Sequence, residues 1–407
     1  MRNFICQGIV VALATVCSSQ ALSQPLQRSG NTVKVSVFER EAPQSMLLKA
    51  AQGGARVFGG GKLLVELRAN DLLFVTITRG QVRVRTIERL LGTYSRVLVR
   101  SKGDTGTFSL QGVKPTSLAR AYAGSVSFSG TGGRIRSILE IDFERYVAGV
   151  VEAEVGARQA LEMYKVQAII ARTYALENLS KHALDRFNLC DNTHCQAFKG
   201  ISISNPDIVE ACKSTQGLVV ADGNNAMISA VFHANCGGQT VNSEDIWPKY
   251  KSYLRSVSCP YCSSSQSFGW RAGISLQKWK DYAKSSASDT GRFDQANRKV
   301  YVTIGGREVM LHRMRQDLGF RSAFFSFKQV GDSVIFTGKG YGHGVGLCQD
   351  GAASMARLGM TYQQIISFYY RGCQVVDLVQ THPEQVDDEF FGDNTSGGVG
   401  VVEELKK

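Results

Sequence analysis

Two acidic residues, Glu152 and Glu154, lie in a short apolar stretch that ends at Val155. If this stretch is helical, side chains two positions apart point to nearly opposite faces, so at most one of the two enters a shared pocket. A carboxyl group among apolar neighbours keeps its proton to higher pH, because burial disfavours the charged form. Such a group can serve as the general acid of glycoside cleavage. The alternative for either residue is a solvated helical glutamate, which composition alone favours.

A loop rich in cysteine and histidine follows this stretch and suggests a metal site. It supplies two sulfur and two nitrogen donors, which suit tetrahedral Zn²⁺. The spacing is not that of a zinc finger, because one histidine and one cysteine are adjacent. A disulfide between the two cysteines is the alternative, and it would leave both histidines without a role. The predicted ligands are His182, Cys190, His194 and Cys195.

The remaining cysteines are more ambiguous. The chain contains ten cysteines, of which eight remain if the first 23 residues are removed. An even number in an exported protein first suggests disulfides. Cys259 and Cys262 form a C-x-x-C pair, which can be a redox site, but no βαβ pattern surrounds it. Structural cysteines, paired with each other or with Cys236 or Cys212, are the favoured interpretation.

A glycine-rich run, residues 338–346, surrounds His343. It is not a phosphate-binding loop, because no Lys-Ser or Lys-Thr pair follows it. Glycines on both sides of a histidine let the backbone approach a ligand closely, which would make His343 part of a substrate site. A tight turn explains the same pattern equally well.

Patterns of hydrophobic residues predict an α+β fold. From residue 32 to about residue 141, alternating apolar residues and glycine-rich turns predict a β-rich domain for binding or docking. Asp142 is a good helix N-cap and Gly156 a helix stop, which predicts a helix that carries Glu154. Thr361 and Gln364 predict a capping box. The other predicted elements are helices at residues 158–182, 349–358 and 362–370 and strands at residues 226–233 and 334–337.

The two ends of the chain have compositions of their own. Residues 1–23 combine Arg2, a short apolar run and a small-residue cleavage pattern, which predict a secretory signal peptide. The run is too short for a membrane span, which needs roughly 20 residues. A buried helix and a lipid anchor on Cys17 are weaker alternatives, the latter because Val16 fits poorly before an anchor. Residues 382–407 mix acids, glycine and serine and are predicted to be disordered.

These features predict an exported protein, in the periplasm or the cell-wall space, with no transmembrane segment after signal cleavage. The net charge of +12 indicates an anionic partner. An exported protein rarely meets nucleic acid, whereas it does meet anionic cell-wall polymer, so peptidoglycan is expected and nucleic acid is not. A basic surface that only confers solubility is the alternative.

Two sequence blocks resemble the SpoIID/LytB family. The first runs from YVAGVVEAE, which ends at Glu154, to KVQAIIARTY, which ends at Tyr174, and the second is GYGHGVGLCQDGA, residues 340–352. The order and spacing of the blocks are specific, and the resemblance covers about residues 119–373. It leaves the predicted β-rich N-terminal domain, residues 32–118, largely outside and implies a mixed α/β catalytic domain at residues 119–378.

The family includes lytic transglycosylases, which act on glycan strands stripped of stem peptides, and LytB-like enhancers of a cell-wall amidase. The resemblance implies that Glu154 is the catalytic acid and that the loop described above binds zinc, with His182 as the fourth ligand. This sequence departs from the family where Val155-Gly156 replaces Met-Pro and where Cys348 replaces a serine. The substrate-binding residues that the resemblance implies are Arg172, Tyr174, His343 and Gln349.

The main hypothesis is therefore an exported peptidoglycan lytic transglycosylase. Glu154 would act as both general acid and general base and leave 1,6-anhydromuramyl ends, and Arg172 would bind a lactyl carboxylate in bidentate fashion. The alternative is a non-catalytic wall-binding enhancer of an N-acetylmuramoyl-L-alanine amidase. A zinc hydrolase is disfavoured, because four protein ligands leave no open metal position for water.

Overall fold

The computed structural model describes residues 32–103, 105–202, 205–284 and 291–381. The predicted signal peptide (residues 1–23) and the predicted disordered tail (residues 382–407) lie outside the described residues. Within them, strands and helices occupy largely separate parts of the chain, which confirms the α+β class. No helix in these ranges combines the length and the apolar character needed to cross a bilayer.

Strands that precede the first helix form two antiparallel sheets, as their alternating buried and exposed residues require. The larger sheet has the order β13-β1-β12-β11-β8-β3-β4, where β13 is Leu189–Cys190, and the smaller has the order β10-β9-β2-β5-β6-β7. The other strands of the two sheets are β1 (Thr32–Val37), β2 (Ser45–Ala50), β3 (Ala55–Gly59), β4 (Lys62–Leu67), β5 (Leu72–Thr78), β6 (Gln81–Arg85), β7 (Leu90–Tyr94), β8 (Arg96–Ser101), β9 (Thr107–Lys114), β10 (Arg120–Ala123), β11 (Ser125–Thr131) and β12 (Arg134–Asp142).

The boundary predicted between residues 118 and 119 falls inside these sheets. Strands β11 and β12 follow that boundary, yet they lie in the middle of the larger sheet, where β12 pairs along its length with β1. Strand β13 belongs to the loop that carries the four predicted metal ligands, His182 to Cys195, called the metal loop below. It pairs in parallel with β1, on the edge of β1 opposite to β12. The resemblance to the family begins near residue 119, but the two sheets continue to Asp142. The start of the family resemblance is therefore not the end of the β-rich part.

The first two helices are α1 (Phe143–Val155) and α2 (Leu161–Glu177). The predicted limits of α1 are confirmed, because the Asp142 side chain accepts a hydrogen bond from the Arg145 N–H and the helix stops at Gly156. Helix α2 is shorter than the predicted residues 158–182. Arg158 has a positive φ of 68°, which a helix cannot include.

Helix α2 is the centre of this part of the molecule. Met163, Tyr164 and all residues from Val166 to Ala175 are buried. One side of α2 shares a core with α1 and the sheets, and the other shares a core with two later helices. These are α6 (Gln349–Arg357) and α7 (Tyr362–Tyr369), which agree with prediction to within one residue, and α7 carries the predicted capping box. Nearby lie α3 (Pro206–Ser214), β14 (Leu218–Ala221) and β23 (Gln374–Asp377).

The strand predicted at residues 226–233 is reduced to β15 (Phe232–His233). Strand β15 pairs in parallel with β22 (Leu347–Cys348), which directly precedes α6. The preceding apolar residues are buried outside any named strand, and Met227 forms an isolated bridge with Ala221. Burial rather than strand pairing therefore accounts for that apolar run.

The chain segment between β15 and β22 forms a separate small core. Of its elements, the sequence predicted only the strand at residues 334–337. The core packs around Trp279 and Phe336, and its main sheet has the order β16-β21-β20-β17. Its elements are β16 (Gly269–Ser275), α4 (Leu276–Ala283), β17 (Arg292–Phe293), β18 (Tyr301–Ile304), β19 (Arg307–Met310), α5 (Leu311–Leu318), β20 (Phe325–Val330) and β21 (Ser333–Lys339).

Candidate functional site

Glu154 lies in the last turn of α1, where two later segments of the chain reach its carboxyl group. The backbone N–H of Ala197 donates a hydrogen bond of 2.7 Å to Glu154 Oε1, and the Gln349 side chain also donates to the carboxyl. Burial raises the pKa of Glu154, and this effect outweighs the two hydrogen bonds and the positive charge of Lys199, which lower it. The carboxyl is therefore biased towards the protonated form that a general acid needs.

Gln349 is held in turn by α2. Its Nε2 donates to Gln167 Oε1 at 3.3 Å, and Gln167 is completely buried. The first residue of α6, the middle of α2 and the end of α1 are thereby linked through side-chain hydrogen bonds. The two sequence blocks that resemble the SpoIID/LytB family meet at this point.

The four predicted metal ligands come together beside Glu154. The donor atoms of His182, Cys190, His194 and Cys195 all lie within 4.8 Å of one another. Cys195 Sγ lies 3.4 Å from His182 Nε2 and 3.8 Å from His194 Nδ1, and Cys190 Sγ lies 3.6 Å from His194 Nδ1. Tetrahedral Zn²⁺ with its usual bond lengths places sulfur and nitrogen ligands about 3.6 Å apart. The two cysteines are not bridged by a disulfide, so the donor set fits a metal ion.

Asp185 supports this donor set from outside. Its carboxylate lies 3.9 Å from His182 Nδ1, while Nε2 of the same ring faces the sulfur of Cys195. This distance is longer than a hydrogen bond, so Asp185 places a negative charge on the outer side of the ring without fixing its orientation.

The metal loop and the carboxyl of Glu154 are mechanically connected. Ala197, which donates to Glu154, follows Cys195 by two residues. Beyond it, the carbonyl of Gly200 packs so closely on α1 that a Cβ at Gly149 would overlap it. Glycine at position 149 therefore lets the end of the metal loop lie directly on α1.

Tyr174, predicted to bind substrate, lies near both the carboxyl of Glu154 and the cysteines of the metal loop. Burial raises the pKa of its hydroxyl, and the negative charges of Cys195, Cys190 and Glu154 raise it further. Its hydroxyl is 3.5 Å from Lys181 Nζ, and 7% of the residue is exposed. The structure therefore brings Tyr174 to the site but gives it little surface for a substrate.

Arg172 is placed differently from the prediction. Only 1% of it is exposed, and its guanidinium binds both carboxylate oxygens of Glu144, at 2.8 and 2.7 Å, and the Leu218 carbonyl at 3.0 Å. Glu144 and Glu154 occupy opposite ends of α1, about 15 Å apart along the helix axis. Arg172 therefore ties α1 to α2 away from the candidate acid, and a contact with a substrate carboxylate does not fit this geometry.

We expect Arg172→Met to lower the free energy of unfolding, but by less than the roughly 3–5 kcal/mol typical of a fully buried pair, because the Glu144 carboxylate that loses its partner is partly exposed and can be hydrated. Chemical denaturation would measure the loss. Removing both charges in Arg172→Met/Glu144→Leu should restore part of the stability. If Arg172→Met has normal stability but binds glycan more weakly, Arg172 would be reassigned to substrate binding.

Comparison with known proteins identifies the family. A family model described as SpoIID, stage II sporulation protein, matches residues 131–221. Stage II sporulation protein D of Bacillus subtilis is 31% identical over 266 residues, which cover 59% of this chain and 76% of that protein. The chain belongs to the SpoIID family.

Two other relatives show the range of proteins that this SpoIID-family chain resembles. An uncharacterized protein of Brachyspira hyodysenteriae is 28% identical over 366 residues, 87% of this chain and 95% of that protein. A Bacillus subtilis protein named Amidase enhancer is 26% identical over 287 residues, 55% of this chain and 39% of that protein. Glu154 and the metal loop lie inside the residues that the SpoIID model matches, whereas Gln349 lies outside them.

His343 has a structural position in this SpoIID-family chain. Its Nε2 donates to the Phe232 carbonyl at 2.9 Å, and its Nδ1 accepts from the Val345 N–H at 3.1 Å. Burial, with a contribution from the positive charge of Arg315, lowers its pKa to about 3, so the ring is neutral at neutral pH. Both ring nitrogens are thus engaged by backbone, which agrees with the tight-turn alternative better than with substrate binding through hydrogen bonds.

The glycines around His343 serve close packing within the protein. Gly346 has a φ of 70°, and a Cβ there would overlap the carbonyl of Val231. At Gly342, whose φ is 111°, a Cβ would lie 2.8 Å from the His233 side chain. Glycine at positions 342 and 346 therefore lets two loops of the protein lie against each other.

Contributors to the site that were not predicted include Ala197 and Gln167. Ala197 acts through its backbone N–H, which no residue type specifies. Gln167 did carry a signal, because it interrupts the apolar run of α2 from Val166 to Ala171, and a buried polar side chain needs a hydrogen-bond partner.

Proposed function

We propose that the chain is an exported lytic transglycosylase that cleaves peptidoglycan glycan strands with Glu154. The observation that carries the proposal is a buried carboxyl group whose pKa is raised and whose position is fixed by the Ala197 N–H and the Gln349 amide. Enzymes tune a carboxyl in this way when it must donate a proton near neutral pH.

One carboxyl suffices for this reaction. Protonated Glu154 gives its proton to the glycosidic oxygen as the bond from that oxygen to the muramyl C1 breaks. The resulting carboxylate accepts the proton of the muramyl C6 hydroxyl, whose oxygen bonds to C1 and forms the 1,6-anhydro ring. The proton returns to Glu154 and no water is consumed. The Ala197 N–H and Gln349 amide stabilise the carboxylate between the two steps, while burial favours the protonated starting state.

The metal loop is proposed to hold a structural zinc ion through His182, Cys190, His194 and Cys195. Four protein ligands complete a tetrahedral shell, so the ion would act as a cross-link and not as a Lewis acid. Its effect on the reaction would be indirect, because the loop positions the N–H of Ala197.

Mass spectrometry of the products tests the proposed reaction. Glycan strands stripped of peptides are expected to give fragments that end in 1,6-anhydromuramic acid. Reducing ends would indicate hydrolysis instead. We also expect faster cleavage of peptide-free strands than of intact peptidoglycan. The reason is the net charge of +12, which favours binding to the carboxylates that peptide-free strands expose. Arg172 does not supply this preference, because its guanidinium is paired with Glu144.

The pH dependence provides an independent test. Because the starting state needs protonated Glu154, kcat/KM should fall as the pH rises above the raised pKa of that carboxyl. The Gln349 hydrogen bond lowers this pKa, so Gln349→Ala should move the descending limb to higher pH. A limb that stays in place in Gln349→Ala would mean that another group controls the profile.

The alternative function is that of a non-catalytic, wall-binding enhancer of a cell-wall amidase. Similarity to the protein named Amidase enhancer favours it. Purified chain would be added to an N-acetylmuramoyl-L-alanine amidase acting on intact peptidoglycan. Stimulation by both the unaltered chain and Glu154→Gln, with no sugar released by either, would support the enhancer over the transglycosylase.

A further inference from the structure

Four buried cysteines form a second cluster, apart from the metal loop. They come from three segments: the loop after β15, the short turn that carries the C-x-x-C pair, and the residue that precedes α6. Their sulfur atoms all lie within 4.8 Å of one another. All four are unbridged, so the structure does not join them as the disulfides that the sequence favoured. The four residues are Cys236, Cys259, Cys262 and Cys348.

The spacing of these sulfurs fits one metal ion. Ligands of a single Zn²⁺ with bonds of about 2.3 Å can be at most about 4.6 Å apart, and in a tetrahedron they are about 3.8 Å apart. Cys236 Sγ and Cys262 Sγ are separated by 3.5 Å. Two disulfides would bring the sulfurs together in pairs, whereas here each of the four is close to the other three.

The surroundings of the cluster suit thiolate ligands. The backbone N–H groups of Cys236 and Gly351 point at Cys348 Sγ, at 3.3 and 3.4 Å, and the Tyr369 hydroxyl lies 3.2 Å from Cys259 Sγ. Hydrogen bonds of this kind stabilise and orient metal-bound sulfur. The guanidinium of Arg298 donates to the Cys236 carbonyl at 2.6 Å, which places a positive charge beside the cluster.

Gly351, in the first turn of α6, makes room for the cluster. A Cβ at this position would lie 2.8 Å from Cys259 Sγ and would overlap the Tyr369 hydroxyl. A helical residue is ordinarily more stable as alanine than as glycine. The absence of a side chain here lets α6 approach the sulfurs of the turn.

We propose that Cys236, Cys259, Cys262 and Cys348 bind a second structural zinc ion in a four-sulfur site. A tetrahedral set of sulfur donors suits Zn²⁺, and the closed shell leaves no position for a substrate. Cys348 directly precedes Gln349, so the ion would anchor the residue that contacts Glu154. The proposal depends on the cluster alone and stands whether or not the chain cleaves glycan.

Metal content tests the proposal. Elemental analysis of the full chain, purified without chelator, should give two zinc ions per chain. Cys259→Ser/Cys262→Ser should retain one, Cys195→Ser in the metal loop should also retain one, and Cys373→Ser, whose sulfur belongs to neither group, should retain two. An unchanged zinc content in Cys259→Ser/Cys262→Ser would overturn the proposal, as would one iron ion at this site.

A second measurement needs no variant and therefore does not depend on variant folding. The unaltered chain is denatured with a chelator but without reductant, alkylated and digested. Zinc-bound cysteines become free thiols under these conditions, so all four should be alkylated. Peptides joined through these cysteines, or an intact mass lower by four hydrogens, would show disulfides and overturn the proposal.

Discussion

Glu154→Gln is expected to lower the rate of glycan cleavage by roughly 10²–10⁴-fold, the range typical of lost general acid–base catalysis. Glutamine keeps the shape of the side chain and can still accept the Ala197 N–H, but it has no proton to exchange. The loss is measured as the rate at which anhydromuramyl products are released from peptide-free glycan. Binding of the variant to glycan should be close to normal.

The stability of Glu154→Gln distinguishes a chemical effect from a folding effect. The pKa of Glu154 is raised in the folded state, so the ionised carboxyl costs stability above that pKa, and the cost declines as the pH falls from the raised pKa to the ordinary pKa of the unfolded chain. The variant should therefore be at least as stable as the unaltered chain at neutral pH and lose this advantage in acid. If the variant is less stable than the unaltered chain, its loss of activity could be explained by a folding defect instead of by the missing acid.

Glu152→Gln is the matched control for this experiment. Glu152 lies on the same helix two residues away and therefore on a different face. Its replacement should leave cleavage nearly unchanged. Equal losses in the two variants would contradict the assignment of Glu154, and sugar release that persists in Glu154→Gln would point to a different acid.

Loss of the zinc ion proposed for the metal loop is expected to have the largest effect on stability. Structural zinc sites contribute roughly 10–16 kcal/mol to the folding of zinc-finger peptides, and a fraction of that would lower the melting temperature strongly. Cys195→Ser should therefore melt earlier than the unaltered chain and bind less zinc. Because Cys195 lies two residues before Ala197, cleavage should also fall at temperatures where the variant is still folded.

Cys212→Ser is the control for the metal loop, since Cys212 is also buried but lies on α3 outside the donor set. It should retain the full zinc content. An unchanged melting temperature of Cys195→Ser, together with a Cys190–Cys195 disulfide in the purified chain, would rule out zinc in the loop. Thermal unfolding with and without chelator completes the comparison.

Local patterns predicted the elements that carry the site. Asp142 and Gly156 mark the ends of α1 because capping depends on residues next to each other in the chain. The capping box of α7 was predicted for the same reason. The four metal-loop donors were also predictable, since they lie within one short segment and their chemistry limits what they can bind.

Other assignments depended on which distant residues become neighbours. The sequence shows that Arg172 needs an acidic partner if it is buried, but only packing decides that the partner is Glu144 rather than a substrate. In the same way, Gln349 reaches Glu154 because α6 packs on α2. Such contacts join segments far apart in the chain, and periodicity and capping carry no information about them.

The cysteines show the same division. Ten cysteines in the sequence allow disulfides, metal sites or free thiols, and the C-x-x-C pair alone does not decide between them. The tertiary structure decides, because it brings Cys236 and Cys348 to that pair and separates Cys212 from it. Residue chemistry thus determined what the chain can bind, and packing determined where, since a binding site needs several donors within a few ångströms of one point.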